Sequence, residues 1–495
     1  MLLKNSKRFG FIFLLMLAFL SLCLSGFDQK PKKTPETPAS KQLAAFIEAL
    51  SSGKRAIFRS FIKENYQDKF LAIAPLEEHV SILSEIYDQS RGYDPGPILK
   101  ASDTELNALV RNRLSDQWSE LMLRVEAAAP YKITGLGIRP ASPPSDLPPP
   151  QALSSEEAVG ELEKFFDKLV EADVFSGSVL VAKDGQPFFK KAYGQASKDC
   201  GLANRVDTKF NLGSMNKMFT AVAIGQLIGR GKLHLDDPVS SFLGPDWLKP
   251  EFAKKVQIRH LLSHTSGLGS YFNEKFEKSS RLLFRKVDDY KPLLADEKPA
   301  FEPGTKWQYS NTGFLLLGAV IEKVTGQTYF DYVLENIFKP AGMINTDSYE
   351  MDQVVPNLAI GYAKVFKDEG GYSFRNNLFD HVVKGGPAGG GFSTAEDLMN
   401  FSAALRSYKL LTRESTELLM SPKPEINSPN YGYGFSIETD KKLGRIAGHS
   451  GGFTGISSDL DMYLDKGYTV VVMSNYGGGS NGPVQKIREL LSRIK

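Results

Sequence analysis

Apolar positions near the start of the chain change from a helical period to a strand period. Apolar residues three or four apart predict helices, and alternation of apolar and polar residues predicts strands. The predicted helices cover residues 43–50, 57–62 and 76–87, and the predicted strands cover residues 106–110, 121–125 and 131–133. Residues 92–96 lie between the two groups and are interpreted as a turn region. Helices followed by three or four strands predict a small α+β domain over residues 41–139.

A proline-rich stretch at residues 140–153 separates this domain from the rest of the chain. Its consecutive prolines favour the extended polyproline conformation, which is typical of a semi-rigid linker. Residues 27–40 are rich in lysine and proline and have no core-forming pattern, so we interpret them as a tether. The two stretches leave a second folded unit at residues 154–495.

The second unit begins and ends with strand patterns and is mainly helical between them. It opens with a helix-capping pattern, Ser154-Ser155-Glu156-Glu157. Strands are predicted at residues 178–182, 187–190, 433–437, 445–449, 457–463 and 468–474, and a closing helix at 484–494. Because both ends of the unit contribute strands, the pattern predicts one antiparallel sheet that the C-terminal segment completes.

Residues 1–26 are typical of an export leader. A basic segment at residues 4–8 precedes an unbroken apolar run at residues 11–20. The run is shorter than the ~20 residues that a spanning helix needs, which favours cleavage over a permanent span. Cys23 lies in a sequence similar to a bacterial lipoprotein box, but Leu22 is larger than the usual residue before the cysteine. We therefore expect an exported protein, periplasmic or secreted, with lipidation at Cys23 or a retained anchor as the alternatives.

The composition excludes several classes of protein. The 495 residues are 42% hydrophobic and 24% charged, as in ordinary globular proteins. A net charge of +3 gives no electrostatic case for nucleic acid or an anionic membrane as the main partner. Cys200 is the one cysteine outside the leader, so we expect no disulfide within the folded units. We also expect neither a metal nor a cofactor.

The most informative stretch is Gly213-Ser214-Met215-Asn216-Lys217, which begins an apolar run that predicts a helix. Residues three apart share one helical face, so Ser214 Oγ and Lys217 Nζ can meet. A serine hydroxyl becomes a good nucleophile when an adjacent base takes its proton. Lysine can be that base if burial and the positive end of the helix dipole lower its pKa. The same spacing occurs at three other places, Ser51–Lys54, Ser60–Lys63 and Ser492–Lys495. The spacing alone therefore does not identify a site.

A second candidate stretch is Tyr309-Ser310-Asn311, which follows a Pro-Gly turn and precedes a predicted helix. A tyrosine close to Lys217 and to a helix N-terminus would have its phenolate favoured, which makes Tyr309 a candidate proton shuttle. Asn311 offers a donor and an acceptor, for Lys217 and for a substrate carbonyl. Tyr271-Phe272-Asn273 has the same spacing but no following helix pattern, so we prefer Tyr309.

A third candidate stretch, Gly448-His449-Ser450-Gly451-Gly452, follows a predicted strand. Its glycines allow a substrate backbone to approach closely. A free strand edge here would offer the Gly452 N–H to an oxyanion hole, with the Ser214 N–H as the second donor. The stretch also fits Gly-x-Ser-x-Gly, the nucleophile elbow of α/β-hydrolases. That triad needs a histidine after the serine, and His449 is the last histidine in the chain, so we reject this alternative.

Ser-x-x-Lys, Tyr-Ser-Asn and His-Ser-Gly, in this order, are similar to the motifs of the penicillin-recognising serine hydrolases. The resemblance is to the class C β-lactamase-like branch, which includes D-alanyl-D-alanine carboxypeptidases, D-aminopeptidases and esterases, and it extends over about residues 160–495. It implies a β-lactamase/transpeptidase-like fold, in which an antiparallel sheet is flanked by helices and joined to a helical lobe. The element order at residues 41–139 resembles the NTF2-like folds.

The resemblance also implies a role for each residue of the three motifs. Ser214 would be the acylated nucleophile, Lys217 its activating base and Tyr309 the proton shuttle. The groups that would position the substrate are Asn311, His449, Ser450 and Gly451. The backbone N–H groups of Ser214 and Gly452 would form the oxyanion hole.

One departure from the family pattern concerns the substrate. The β-lactamases of this branch carry a lysine where this chain has His449, and a histidine is only partly charged near neutral pH. Peptidase and esterase members also have histidine here. We therefore expect an exported serine hydrolase that acts through an acyl-enzyme on an ester, a D-amino-acid-type amide or peptide, or a peptidoglycan fragment. The alternatives are a β-lactamase proper and a catalytically vestigial protein that binds cell-wall peptides.

His260 and His264 are four residues apart, as in a helical metal site. No glutamate follows His260 to complete the His-Glu-x-x-His motif. We expect packing or hydrogen bonding at a helix terminus instead of metal binding.

Overall fold

The structure is a computed structural model that describes residues 36–148 and 150–495. The predicted leader, Cys23 and most of the predicted tether lie outside the described residues. Within the described part, no helix is both long enough and apolar enough to cross a membrane.

Residues 38–140 form three main helices and a four-stranded antiparallel sheet. The elements are α1 (Pro38–Ser51), α2 (Arg55–Asn65), α3 (Leu76–Ser90), β1 (Tyr93–Ala101), β2 (Glu105–Asn112), β3 (Trp118–Val125) and β4 (Ile133–Pro140), with a further turn of helix at Asp68–Leu71. The strands lie in the order β1-β2-β3-β4. Phe46, Leu83, Val110 and Leu121 belong to the one hydrophobic cluster between helices and sheet. The predicted helices and the strands predicted at residues 106–110 and 121–125 are confirmed, whereas the strand predicted at residues 131–133 begins only at Ile133 and runs on to Pro140.

Two boundaries in this part differ from the prediction. α1 begins at Pro38 because Thr37 and Ser40 form a reciprocal capping box, so the end of the predicted tether is helical. Residues 92–96 are not a turn, since β1 begins at Tyr93 and runs through Pro95. β1 is an edge strand with register shifts next to this proline, and a proline is tolerated at such a position.

The second unit contains a six-stranded antiparallel sheet. Its strands are β5 (Gly177–Lys183), β6 (Gln186–Tyr193), β9 (Ser436–Asp440), β10 (Gly444–Phe453), β11 (Ile456–Tyr463) and β12 (Tyr468–Ser474). They lie in the order β9-β10-β11-β12-β5-β6, which confirms that both ends of the unit build one sheet. A separate hairpin is formed by β7 (Tyr362–Phe366) and β8 (Tyr372–Asn376). Short two- or three-residue strands occur at Gln195–Ser197, Leu202–Ala203, Phe210–Asn211 and Phe392–Ser393.

Helices cover both faces of the large sheet. The longer ones are α4 (Ser155–Glu171), α5 (Asn216–Gly229), α6 (Asn311–Thr325), α7 (Ala395–Arg406) and α8 (Asn481–Leu491). Shorter α-helical segments lie at Pro250–Ala253, Ile258–Leu262, Glu274–Lys278, Tyr329–Val333, Lys339–Ala341 and Arg413–Leu419, and a π-helical turn at Leu334–Phe338. Short 3-10 helices lie at Gly213–Met215, Val239–Ser241, Arg281–Leu283, Val287–Leu294 and Pro424–Ile426.

Strand alternation divides the core of this unit into two layers. On β5, Val179 and Val181 pack with α4 and α8 on one face of the sheet. Leu180 and Ala182 face the other way, into the larger cluster that contains α5 and α6. α5 is buried almost throughout, so any polar side chain on it needs a partner inside the protein.

The hairpin β7–β8 joins the N-terminal domain to the second unit. Lys364 on β7 donates to both carboxylate oxygens of Asp88 on α3 at 2.8 Å, and both side chains are buried. At the base of the hairpin, Asn377 Nδ2 donates to the carbonyl oxygen of Thr454, which follows the end of β10. The N-terminal domain therefore packs on the second unit and is not connected to it through the proline-rich stretch alone.

Candidate active site

Ser214 lies in the 3-10 turn Gly213–Met215, one turn before α5 begins at Asn216. Gly213 has a φ of +50°, and a Cβ there would lie 2.7 Å from the Gly452 nitrogen, so only glycine fits the position. The Gly213 N–H donates to Asn211 Oδ1 at 2.9 Å. Ser214 is partly exposed, whereas the residues on either side of it are buried. The turn thus leaves the Ser214 side chain partly accessible between buried neighbours.

Lys217 is fully buried in the first turn of α5. Its Nζ lies 3.2 Å from Ser214 Oγ, 2.9 Å from Asn311 Oδ1 and 2.5 Å from the carbonyl oxygen of Ala388. No carboxylate is among these partners. Burial in this apolar helix lowers the pKa of Lys217 well below its ordinary value of 10.5.

The three partners of Lys217 could each accept from an ammonium, and they also fit the neutral amine that burial favours. A neutral lysine has two N–H groups and one lone pair. Asn311 Oδ1 and the Ala388 carbonyl can only accept, so they take both N–H groups. The lone pair is then directed at the Ser214 hydroxyl, which donates to it. This geometry can remove the serine proton without any rearrangement.

The segment that carries the Ala388 carbonyl is held by two polar residues on α5 that the motifs did not single out. Asn216 Nδ2 donates to the Gly386 carbonyl at 3.1 Å, and Asn216 Oδ1 accepts the Gly391 N–H at 3.2 Å. Thr220 Oγ1 donates to the Pro387 carbonyl at 2.7 Å. α5 therefore carries both Lys217 and the side chains that fix one of its acceptors.

Tyr309 lies beside Lys217, with its ring centre 4.8 Å from Nζ. Burial raises the pKa of Tyr309 above its ordinary value, and an interaction with the Ser214 side chain opposes that rise. The expectation that the phenolate is favoured is therefore wrong, because desolvation of the anion is the larger effect. Tyr309 is a neutral phenol that can donate a proton.

Asn311 is the first residue of α6, and Ser310 is its N-cap. Ser310 Oγ accepts the Gly313 N–H at 2.8 Å, which fixes the helix start. Asn311 Oδ1 accepts from Lys217, and its Nδ2 donates to Ser270 Oγ at 3.1 Å. The structure thus brings Asn311 to Lys217 as the spacing predicted, with the amide orientation fixed by Ser270.

His449 is buried on β10, and both of its ring nitrogens have partners. Nδ1 lies 2.6 Å from the Ser450 carbonyl oxygen, which can only accept, so Nδ1 carries a hydrogen. Nε2 lies 2.9 Å from the Tyr431 hydroxyl. Burial and the proximity of Lys217 lower the pKa of His449 to about 3, against the opposing effect of the Ser450 carbonyl. His449 is therefore neutral, with Nε2 accepting from Tyr431.

The end of β10 has one unpaired edge, and this edge faces Ser214. β9 pairs with β10 only as far as Gly448, whereas β11 pairs with it as far as Phe453. A two-residue turn follows Phe453, so Phe453 and Ile456 are the hydrogen-bonded pair that closes the hairpin. Successive N–H groups of a strand point to opposite sides, and the Gly452 N–H therefore points to the unpaired edge. A Cβ on Gly451 would lie 1.8 Å from the Leu212 carbonyl oxygen, so the strand approaches the Ser214 turn closely. Ser450 is exposed on the same segment.

The second Tyr-x-Asn sequence has packing and capping roles, although it directly follows Ser270, which holds Asn311. Tyr271 is buried against the rings of Phe276 and Tyr290. Asn273 caps a short helix, Glu274–Lys278, which the sequence pattern did not predict. His260 likewise serves a helix start, since its Nδ1 accepts the Gln257 N–H at 3.2 Å. Hydrogen bonding at a helix terminus, as predicted for this histidine, is confirmed.

A cavity of about 240 Å³ adjoins the site without containing Ser214. It extends from Asn211 to Gly455 and Ile456, beyond the end of β10, and no carboxylate, lysine or arginine lines it. His381 lines the cavity as well, and burial lowers its pKa to about 4. The cavity is therefore suited to an uncharged group.

With the site geometry established, comparison with known proteins identifies the family. The family model described as beta-lactamase matches residues 162–492. The chain belongs to this family. Its members share the β-lactamase/transpeptidase fold, so the fold predicted from the three motifs is confirmed.

Two curated relatives and one solved structure resemble the chain. Penicillin-binding protein 4* of Bacillus subtilis is 32% identical over 63% of this chain and 71% of its own length. The teichoic acid D-alanine hydrolase of Staphylococcus aureus is 29% identical over 66% of this chain and 76% of its own. The crystal structure of a D-stereospecific amidohydrolase from Streptomyces sp. matches at 28% identity with a TM-score of 0.53, over 69% of this chain and 98% of that one.

Replacing Asn311 by aspartate tests the electrostatic environment of Lys217. A carboxylate 2.9 Å from Nζ would favour the ammonium, so the pKa of Lys217 rises. If Lys217 must be neutral to react, the acidic limb of the pH–kcat/KM profile shifts upward by about 1–3 pH units. The profile is measured with a p-nitrophenyl ester.

Asn273→Asp is the matched control, because it makes the same change in the second Tyr-x-Asn sequence and retains a good N-cap. Its profile should coincide with that of the wild type. An unmoved limb in Asn311→Asp would contradict the assignment of that limb to Lys217.

Proposed function

We propose that this protein is an exported serine hydrolase that acts through an acyl-enzyme on esters or D-amino-acid-type amides. The observation that carries the proposal is the full burial of Lys217 with Ser214 Oγ, Asn311 Oδ1 and the Ala388 carbonyl as its partners. In the neutral form that burial favours, its two N–H groups go to Asn311 and Ala388, and its lone pair is left for the Ser214 hydroxyl at 3.2 Å. A surface lysine would have no such pair of acceptors and no lowered pKa.

In the acylation step, Ser214 Oγ bonds to the substrate carbonyl carbon as its proton moves to Lys217 Nζ. The carbonyl π electrons move to the oxygen, and the resulting oxyanion accepts from the N–H groups of Ser214 and Gly452. When the tetrahedral intermediate collapses, the bond to the leaving group breaks and the leaving atom takes a proton from Tyr309. Tyr309 regains a proton from the Lys217 ammonium, and the acyl group remains on Ser214.

Deacylation repeats these steps with water in place of the serine hydroxyl. Water bonds to the acyl carbon and gives a proton to Tyr309 Oη, while Tyr309 passes its own proton to Lys217 Nζ. When the tetrahedral intermediate collapses, the bond from the acyl carbon to Ser214 Oγ breaks and Oγ takes a proton from the Lys217 ammonium. The neutral phenol of Tyr309 and the neutral amine of Lys217 are regenerated together. Because each group both gives and receives a proton in one cycle, neither needs to exchange protons with bulk water.

Two observations favour a substrate that is not recognised through a carboxylate. His449 is neutral and both of its ring nitrogens are occupied, so it supplies no cation. Two relatives are named as a D-alanine hydrolase and a D-stereospecific amidohydrolase, and these names support D-aminoacyl esters and amides as the substrate class.

Export to the cell envelope is part of the proposal. It is supported by the leader pattern at residues 1–26 and by the name of the staphylococcal relative, since teichoic acids are cell-envelope polymers. A D-aminoacyl ester or a peptidoglycan fragment would be accessible to an exported enzyme.

Ser214→Ala tests the nucleophile. Wild-type protein should react with a fluorophosphonate probe and gain the mass of one adduct, whereas Ser214→Ala should not, because it lacks the Oγ that forms the bond. Ser60→Ala is the matched control, since Ser60 is exposed and has the same spacing to a lysine. Intact-mass spectrometry gives the adduct count. Labelling of Ser214→Ala at the wild-type rate, or no labelling of the wild type, would refute the assignment.

His449→Lys tests the reason for the substrate class. A lysine at this position of β10 adds an amine that can hold a positive charge and attract a substrate carboxylate. The kcat/KM for a carboxylate-bearing amide, divided by the kcat/KM for a neutral ester, should therefore rise about tenfold or more. His449→Gln, which adds no charge, should leave the ratio within about twofold. If the lysine variant keeps the wild-type ratio, charge at this position does not select the substrate.

A further inference from the structure

A loop at residues 263–270, buried as far as Leu268, supports the segment that carries Tyr309 and Asn311. Hydrogen bonds join the two segments along their length. The Gly267 carbonyl accepts the Ala300 N–H at 2.8 Å, and the Thr265 carbonyl accepts the Gly304 N–H at 2.8 Å. At the far end, the Gly269 carbonyl accepts from Ser310 Oγ at 3.0 Å. The backbone of the loop thus fixes the position of residues 300–310.

His264 is the point of this loop that contacts both neighbours of Tyr309. Its backbone carbonyl accepts the Gln308 N–H at 2.9 Å, and its ring Nδ1 accepts the Ser310 N–H at 3.0 Å. One residue thus fixes the backbone immediately before and immediately after Tyr309. His264 has a φ of +61°, a conformation that is uncommon outside glycine and is held here by the surrounding contacts.

The ring of His264 also packs on the ring of Tyr309. The two ring centres are 4.4 Å apart, and on another side His264 lies 4.7 Å from the ring of Tyr431, which holds His449. The side chain is completely buried, and burial lowers the pKa of His264 well below its ordinary value. A neutral ring that accepts at Nδ1 carries its hydrogen on Nε2, so it has no lone pair left with which to act as a base.

We propose that His264 is a positioning residue for Tyr309, and that it acts by accepting the Ser310 N–H at Nδ1. It does not touch the reacting atoms, and its effect on the reaction passes through the phenol. The proposal rests on the proposed function, in which Tyr309 moves a proton between Lys217 and the leaving group. A small displacement of that phenol would lower kcat by about 10²-fold.

Two amide substitutions separate the acceptor at Nδ1 from the rest of the side chain. His264→Asn places an acceptor close to the position of Nδ1, and asparagine tolerates a positive φ. His264→Gln places its amide one bond further, near Nε2, and leaves the Ser310 N–H without an acceptor. Both variants lose the aromatic ring and its packing on Tyr309, so the main difference between them is the position of the amide.

The measurement is kcat and KM for a neutral p-nitrophenyl ester. The enzyme concentration is taken as the concentration of active sites, which is found by titration with the fluorophosphonate probe. Counting active sites in this way excludes any misfolded fraction. His264→Gln should lower kcat by about 10²-fold with little change in KM, and His264→Asn should stay within about fivefold of the wild type. Equal kcat values for the two variants would overturn the proposal.

A double-mutant cycle with Tyr309→Phe separates this proposal from the proposed function. If His264 acts through the phenol, Tyr309→Phe with His264→Gln should be no slower than Tyr309→Phe alone. Additive losses would show that His264 acts by another route and would overturn the proposal while leaving the role of Tyr309 intact. If Tyr309→Phe instead keeps wild-type activity, Tyr309 is not the proton shuttle. The proposal that His264 positions this shuttle is then refuted as well.

Discussion

The burial of one amine, Lys217 Nζ, is the constraint on which the site depends. α5 is buried almost throughout, and a charged ammonium there would be far from water and without a carboxylate. The protein meets this cost by supplying two neutral acceptors, Asn311 Oδ1 and the Ala388 carbonyl. These acceptors bind the two N–H groups of a neutral amine, and the Ser214 hydroxyl can then donate to its lone pair. The contacts that make the burial of Lys217 tolerable therefore also allow it to act as a base.

The remaining parts of the site can be understood as supports for that amine and its serine. α5 fixes the Ala388 carbonyl through Asn216 and Thr220, and the start of α6 fixes Asn311. β10 leaves an unpaired edge where β9 ends, and Gly451 allows this edge to approach the Ser214 turn. The neutrality of His449 follows from the same dry environment, because its own burial disfavours the charged ring. The result is a site with strong hydrogen-bonding groups and no permanent cation.

Local sequence patterns predicted the parts that depend on local physics. Ser214 and Lys217 share a helical face, Asn311 begins a helix, and strand alternation placed β10 and its neighbours in one sheet. The pattern could not reveal the protonation states, since these depend on burial by distant segments. Tyr309 was expected to favour the phenolate, but desolvation favours the phenol. His264 lies 46 residues before Ser310, and only the fold brings its ring nitrogen to that N–H.

The central claim is that Lys217 is a neutral amine when the enzyme reacts. Its most direct test is a ¹³C NMR titration of protein labelled at lysine Cε, with Lys217 assigned by comparison with Lys217→Met. Burial predicts that the Lys217 signal titrates well below 10.5, apart from the exposed lysines. A midpoint at or above that of the exposed lysines would show that Lys217 is a permanent cation, and would contradict the account of how Ser214 is activated.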